Sequence, residues 1–571
     1  MNTIDSLPST PPQPPLSLAR SRMFRPRPMI VFAVLVAVLL AVPLATVFYN
    51  IFLPSSPNWQ HLVATLLGDY IATTLILITL VAVGVLVLGG GCAWLTSMCD
   101  FPGRRVFEWA LILPLAVPAY VMAYAYTDLL QYSGALQSYL RAAFGWSSKA
   151  DYWFPEIRSV GGASVMFCLV LYPYVYMLAR LAFLEQSSNL LEAGKTFGYS
   201  LGGIFLRVSL PLARPALAAG ATLAVMETLA DFGTVSYFGI QTFTTGIYRA
   251  WFGMGDPVSS AKLSVVLMAF VAGVLLIEHL SRRRARFFQP RNAVHARIRL
   301  QGWKAGTAVM ICALPLFLGF LLPCFLLLKM TLNNGDTQLG WRFVTLTLNS
   351  VTLAGITALA AVAIALLLAY AMRLNPTPLN RAVNRFAGLG YAIPGSVIAV
   401  GVLIPVTQLD HWLGNIAQNY FGVTTGLIFT GGILALVYAY LIRVLAVALQ
   451  TTEAGLAKIT PSMDDAARSL GAGSLETVAR VHTPMLRASL FTAGLLVFVD
   501  VMKELPATFV MRPFNFDTLA VQAFNLAADE RLSEASTASL AIVSVGLIPI
   551  LLASREIVRG RREMRIDSER Q

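Results

Sequence analysis

"MDDAARSLGAGSLETVARVHTP" (463–484) is a charged, glycine-hinged segment in a chain of 571 residues that is 57% hydrophobic and only 12% charged. It is too polar to enter lipid, yet it lies between two apolar runs. Its meaning comes from a twin, "LLEAGKTFGYSLGGIFLRVSLP" (190–211), which aligns with it at an offset of 273 residues. Glu192 falls on Asp465, Ala193 on Ala466, Gly198 on Gly471, Arg207 on Arg480 and Pro211 on Pro484. The matches concentrate at charge, hinge and proline positions, so the chain is read as two repeats in the same orientation.

Outside the twin segments the chain is a series of apolar runs, and a helix needs roughly 20 such residues to cross the hydrocarbon. Twelve spans are expected, near 28–53, 68–95, 106–128, 160–184, 215–238, 258–280, 303–329, 346–372, 384–407, 424–449, 487–510 and 534–554. The expected fold class is therefore an all-α polytopic membrane protein. "AVPAYVMAYAY" (116–126) also matches "AIPGSVIAVGV" (392–402), pairing Pro118 with Pro394. The organisation that follows is a cytoplasmic tail 1–27, a six-helix repeat 28–280, a basic linker 281–302, a second six-helix repeat 303–554 and a basic tail 555–571. The polar segments 189–214 and 462–487 interrupt the repeats.

Net charge is +13, but the basic residues cluster in "SRRRARF" (281–287), "REIVRGRREMR" (555–565) and the other loops of one face. The positive-inside rule accounts for them, places both termini in the cytoplasm and removes any need for nucleic acid. The five cysteines lie in or beside spans without CxxC spacing, which argues against a zinc site or a disulfide framework.

Each twin segment reads as helix, hinge and helix. Asn189 and Ser462 are expected N-caps, with Glu192 and Asp465 three positions on as in a capping box. Gly198 and Gly471 suit the left-handed position that ends a helix. A second short helix is expected to stop before Pro211 or Pro484. His482 is expected at the surface.

At these residues the chain resembles the membrane subunits of binding-protein-dependent ABC importers, whose cytoplasmic loop starts E-A-A and carries a glycine six residues after the acid. Here the copies read Glu192-Ala193-Gly194 and Asp465-Ala466-Ala467, followed by Gly198 and Pro211 or Gly471 and Pro484. The resemblance implies a type I importer (MetI-like) transmembrane fold and coupling loops that dock on a homodimeric cytoplasmic ATPase. It also implies an extracytoplasmic substrate-binding protein and a place in the bacterial inner membrane. No GxxxxGK[ST] loop is present, so ATP-Mg belongs to the partner ATPase and the chain itself is no enzyme and binds no cofactor.

Beyond each coupling segment come matched acids, Glu227 and Asp231 in the first repeat and Asp500 and Glu504 in the second. Four residues apart, each pair is expected on one face of one helix. Acids at membrane depth line a pathway or form ion pairs, here with Lys503, and both readings stand at this point. Carboxylates are the oxygen donors that hard cations prefer; no firm metal ligand set emerges. Tyr120, Tyr124 and Tyr126 are read as packing residues first and phenolic donors second. Residues 129–158, aromatic-rich, are a candidate surface for a delivering protein.

The region "KELPATFVMRPFNFDTLAVQAFNLA" (503–527), with Glu227 and Asp500, is similar to the fused permeases for ferric iron. The same machinery for thiamine, phosphonate or a polyamine is an alternative. An ion-coupled secondary transporter is another, with "DFPGRR" (100–105) resembling a loop of that class.

Overall fold

The structure is a computed structural model, and it describes residues 27–186, 196, 198–283, 297–333 and 340–569. Among these, 11 single helices are long and apolar enough to cross a membrane, and a sharply bent pair brings the count to 12. Helices α1 (Arg27–Tyr49) and α2 (Leu67–Met98) are followed by α3 (Arg104–Ala110) and α4 (Ala119–Leu130). Then come α5 (Val160–Leu184), α6 (Leu210–Ala230) and α7 (Pro257–Arg283). After residues 284–296, which lie outside the described residues with most of the linker, the chain continues in α8 (Trp303–Leu316) and α9 (Leu322–Asn333). The second series is α10 (Trp341–Leu374), α11 (Pro378–Gly388), α12 (Gly395–Phe421) and α13 (Leu434–Leu456). It closes with α14 (Pro461–Ser469), α15 (Thr483–Met502) and α16 (Leu532–Glu569). The chain is an all-α polytopic membrane protein; a single two-residue bridge, Cys99–Asp100 beside Ile298–Arg299, is its only described strand pairing.

The span expected at 106–128 is not straight. Its two parts meet at 91°, because Pro118 carries no N–H and holds Val117 extended. The break is repeated: Pro118 and Pro394 are the extended N-caps of α4 and α12, each preceded by a tight helical turn, Leu113–Ala116 or Gly390–Ala392. The span expected at 384–407 accordingly starts only at Gly395 and runs on to Phe421. The C-terminal helix continues to Glu569 instead of ending near 554.

The first helix of each half reaches across to the other. Helix α1 packs on α12, where a Cβ on Gly401 would stand 2.6 Å from the Pro43 carbonyl oxygen. On the other side, a Cβ on Gly319, in the π turn between α8 and α9, would stand 2.7 Å from the Leu169 carbonyl of α5. Only glycine permits either approach, so the two halves are keyed together by backbone contact.

Candidate functional site

The second polar segment folds with its cap shifted from the expected place. Thr460, not Ser462, precedes α14, and Pro461 takes the first helical position, where a missing N–H costs nothing. Asp465 therefore does not close a capping box; it forms a surface ion pair with Arg468 at 2.5 Å. Ala466 is exposed and Ala467 buried. The end of the helix matches the expectation: Gly471 has φ +83°, its N–H donates to the Arg468 carbonyl, and the Ala472 N–H reaches the Ala467 carbonyl. That pair of bonds is a Schellman closure. In the first copy Glu192, Ala193, Gly194 and Asn189 lie outside the described residues, while Gly198 has φ +74°.

Neither proline ends a helix. Residues 205–209 and 478–482 form π turns at matched positions, and Pro211 and Pro484 follow at the start of α6 and α15. The wider turn absorbs what proline would otherwise break, its absent N–H and the clash of its ring with the preceding turn. Each polar segment thus runs directly into a membrane helix.

His482, expected at the surface, is fully buried in the second π turn. Its Nε2 lies 2.6 Å from Asp464, whose other oxygen accepts from Arg373 Nε at 2.7 Å. Arg373, on α10, also donates to the carbonyls of Leu456, Ile459 and Thr460. The Tyr370 ring meets the imidazole edge-on. The acid that anchors this segment is therefore Asp464, one residue before the one that the alignment singles out.

The second candidate site is a cavity of about 130 Å³ between the halves, lined among others by Glu227, Asp231, Asp500 and Glu504. All four expected acids meet there, but not as two helical pairs. Helix α6 stops at Ala230 and α15 at Met502, so Asp231 and Glu504 lie beyond the breaks. There they cap the short helices Gly233–Tyr237 and Pro506–Met511. Asp231 accepts from the Thr234 and Val235 amides at 2.9 and 3.2 Å, and Glu504 from the Ala507 and Thr508 amides at 2.8 and 3.0 Å. Placing a carboxylate on a helix N-terminus satisfies orphan donors and the local dipole, which gives both residues a structural role.

Glu227 and Asp500 are held differently. Arg443 on α13 donates to both Glu227 oxygens at 3.4 and 3.3 Å, joining one half to the other. Lys503 pairs with Asp500 at 3.0 Å. Sequence reading missed Arg443, although a lone arginine in "LALVYAYLIRVLAVALQ" (434–450) is the signal that marks an intramembrane functional charge. Of the tyrosines, Tyr120 lines the cavity and donates to the Lys503 carbonyl, whereas Tyr126 donates to Leu318 and Tyr124 is buried in packing. Among the described residues no group of three His, Cys, Asp or Glu converges tightly enough to hold a metal ion.

Residues 85–286, most of the first half, match the family of binding-protein-dependent transport system inner membrane components. The Fe(3+)-transport system permease protein FbpB 2 of Haemophilus influenzae is 23% identical over 538 residues, covering 91% of this chain and 97% of its own. This chain is a permease of the binding-protein-dependent ABC importer type. The permease is also 23% identical to the ferric transport system permease protein FbpB of Actinobacillus pleuropneumoniae, over 86% of this chain and 73% of that one. The molybdenum transport system permease protein ModB of Escherichia coli aligns at 27% over 241 residues, 98% of its length but 40% of this permease. A relative that is complete within less than half of the chain fits a fused, double-repeat permease. It is a multi-pass inner-membrane protein and a transport component, as its relatives are, not an enzyme.

Proposed function

We propose that this permease moves ferric iron across the inner membrane, receiving it from an extracytoplasmic binding protein. Two copies of a separate ATPase drive it through the segments 189–214 and 462–487. Both termini and both segments face the cytoplasm in this reading, and the basic linker and tail agree with it. ATP-driven approach of the segments shifts the population between two cavity orientations, and their direct continuation into α6 and α15 is the route for that force.

The observation that carries the substrate is the surplus of carboxylates: four acids face two bases in the cavity between the halves. The full-length likeness to permeases named for ferric iron points the same way. Molybdenum, the cargo in ModB's name, if carried as the molybdate oxyanion, would need Arg443 and Lys503 freed from their acids while two further carboxylates stayed nearby. Proteoliposomes holding the permease, its ATPase and its binding protein test this directly. ATP-dependent uptake of radioactive iron without molybdate uptake is expected; molybdate uptake alone would overturn the iron assignment. Uptake that follows an ion gradient and ignores ATP would restore the secondary-transporter alternative.

A further inference from the structure

Arg443 has no counterpart in the first half. The repeat offset places Val170 opposite it, and Val170 lines the same cavity, so the architecture of this wall requires no charge. A desolvated guanidinium is kept at membrane depth only where it has work to do. Its bond to Glu227 is loose: both contacts, at 3.3 and 3.4 Å, are longer than the roughly 2.7–2.9 Å of a tight charge-assisted pair. Arg373 meets Asp464 at 2.7 Å in the same protein. The guanidinium also stands over the Tyr391 ring, 5.5 Å from its centroid, and that face offers a cation a second resting place. Among the described residues Arg443 is the partner of Glu227, whereas Asp231 and Glu504 are occupied by backbone amides.

We propose that Arg443 is a tethered counter-cation, holding Glu227 in the empty permease and displaced from it by a multivalent cationic substrate. The inference rests on reading the cavity as a cation path. Because the guanidinium is attached to α13, its effective concentration at Glu227 is on the order of millimolar or more. A monovalent ion offers no more charge than the resident arginine and is rejected. A divalent or trivalent ion gains more from the carboxylate than arginine does, and moves it towards Tyr391. Loading therefore selects for charge and at the same time opens the bond that ties α6 to α13 across the halves.

The test uses the full-length permease in nanodiscs with Tb3+ as probe, read by tyrosine-sensitised emission from Tyr174 and Tyr391, which line the same cavity. The cavity signal is the part lost in Glu227→Gln. Arg443→Gln is expected to tighten that component at least tenfold and to admit competition by Na+ at concentrations that leave the native chain unaffected. The double variant Glu227→Gln/Arg443→Gln, balanced in charge, controls for folding and is expected to lose the component again. If Arg443→Gln weakens Tb3+ as much as Glu227→Gln does, Arg443 helps to build the site and the proposal is overturned, while the cation path survives. If Glu227→Gln changes nothing, the cation path itself falls and the proposal with it.

Discussion

Asp464 holds His482 with one carboxylate oxygen and Arg373 with the other, at 2.6 and 2.7 Å, so a single acid fastens α14 to two membrane helices. A handle of nine residues is marginal as an isolated helix and takes its rigidity from such contacts. Asp464→Ala leaves a buried imidazole unpaired and a largely buried guanidinium without its counter-ion, held only by backbone carbonyls, a loss of roughly 2–4 kcal/mol. A lower unfolding midpoint and a fall in substrate-stimulated ATPase activity are expected in the reconstituted complex. Asp465→Ala, which breaks only an exposed pair, should leave the midpoint unchanged.

Gly471 sits at φ +83° and a side chain there meets no neighbour, so the cost of substitution lies in the backbone alone. Gly471→Ala is expected to destabilise the turn by about 1–2 kcal/mol, and Gly471→Asn by less. Transport measured at equal protein abundance should fall in the order native, Asn, Ala. Equal rates for the two variants would remove the left-handed turn from the coupling argument.

At the opposite end of the bundle, Arg158 reaches Glu530 at 2.7 Å and covers the Tyr237 ring, joining the first half to the second. Glu530 holds this position at φ +59°, uncommon for a residue with a side chain. If this end opens and closes during transport, bridging Arg158→Cys and Glu530→Cys with a short bis-methanethiosulfonate reagent, which spans the gap left by the two long side chains, should stop uptake until the bridge is reduced. A cross-link that leaves uptake intact would mean that this end stays closed throughout the cycle.

The four cavity acids should divide into two classes. Asp231→Asn keeps an oxygen for both capped amides and Glu504→Gln for one of its two, and both are expected to retain most transport, with a stability loss of about 1 kcal/mol for the first and about 2 kcal/mol for the second. Glu227→Gln and Asp500→Gln should cost little stability beyond their ion pairs yet reduce iron uptake at least tenfold. Similar losses at all four positions would return the caps to the pathway.

Helix positions were legible because hydrocarbon leaves a spanning chain little choice, and the apolar runs mark where it must coil. Breaks were legible only in part: Pro118 and Pro394 aligned and each marks a break, but the size of the angle, 91° at Pro118, is not written in the local pattern. Pro461 signalled the true start of α14, since proline favours the first helical position over an interior one. The clasp was illegible, because Arg373 and Asp464 stand 91 residues apart and meet only in the fold. For the same reason the division of labour among the acids was hidden: capping and ion pairing depend on where α6 and α15 stop.

Joining both halves in one polypeptide lets each wall of the cavity mutate alone. Arg443 and Lys503 stand opposite Val170 and Ala230, so the bases are contributed by one half only. A symmetric pair of first halves would gather four acids and no base, and a pair of second halves would match every acid with a base. Fusion reaches the intermediate electrostatics that neither homodimer could: four acids against two bases, the balance that the proposed cation path requires, negative enough to draw in its cargo and neutralised enough to release it.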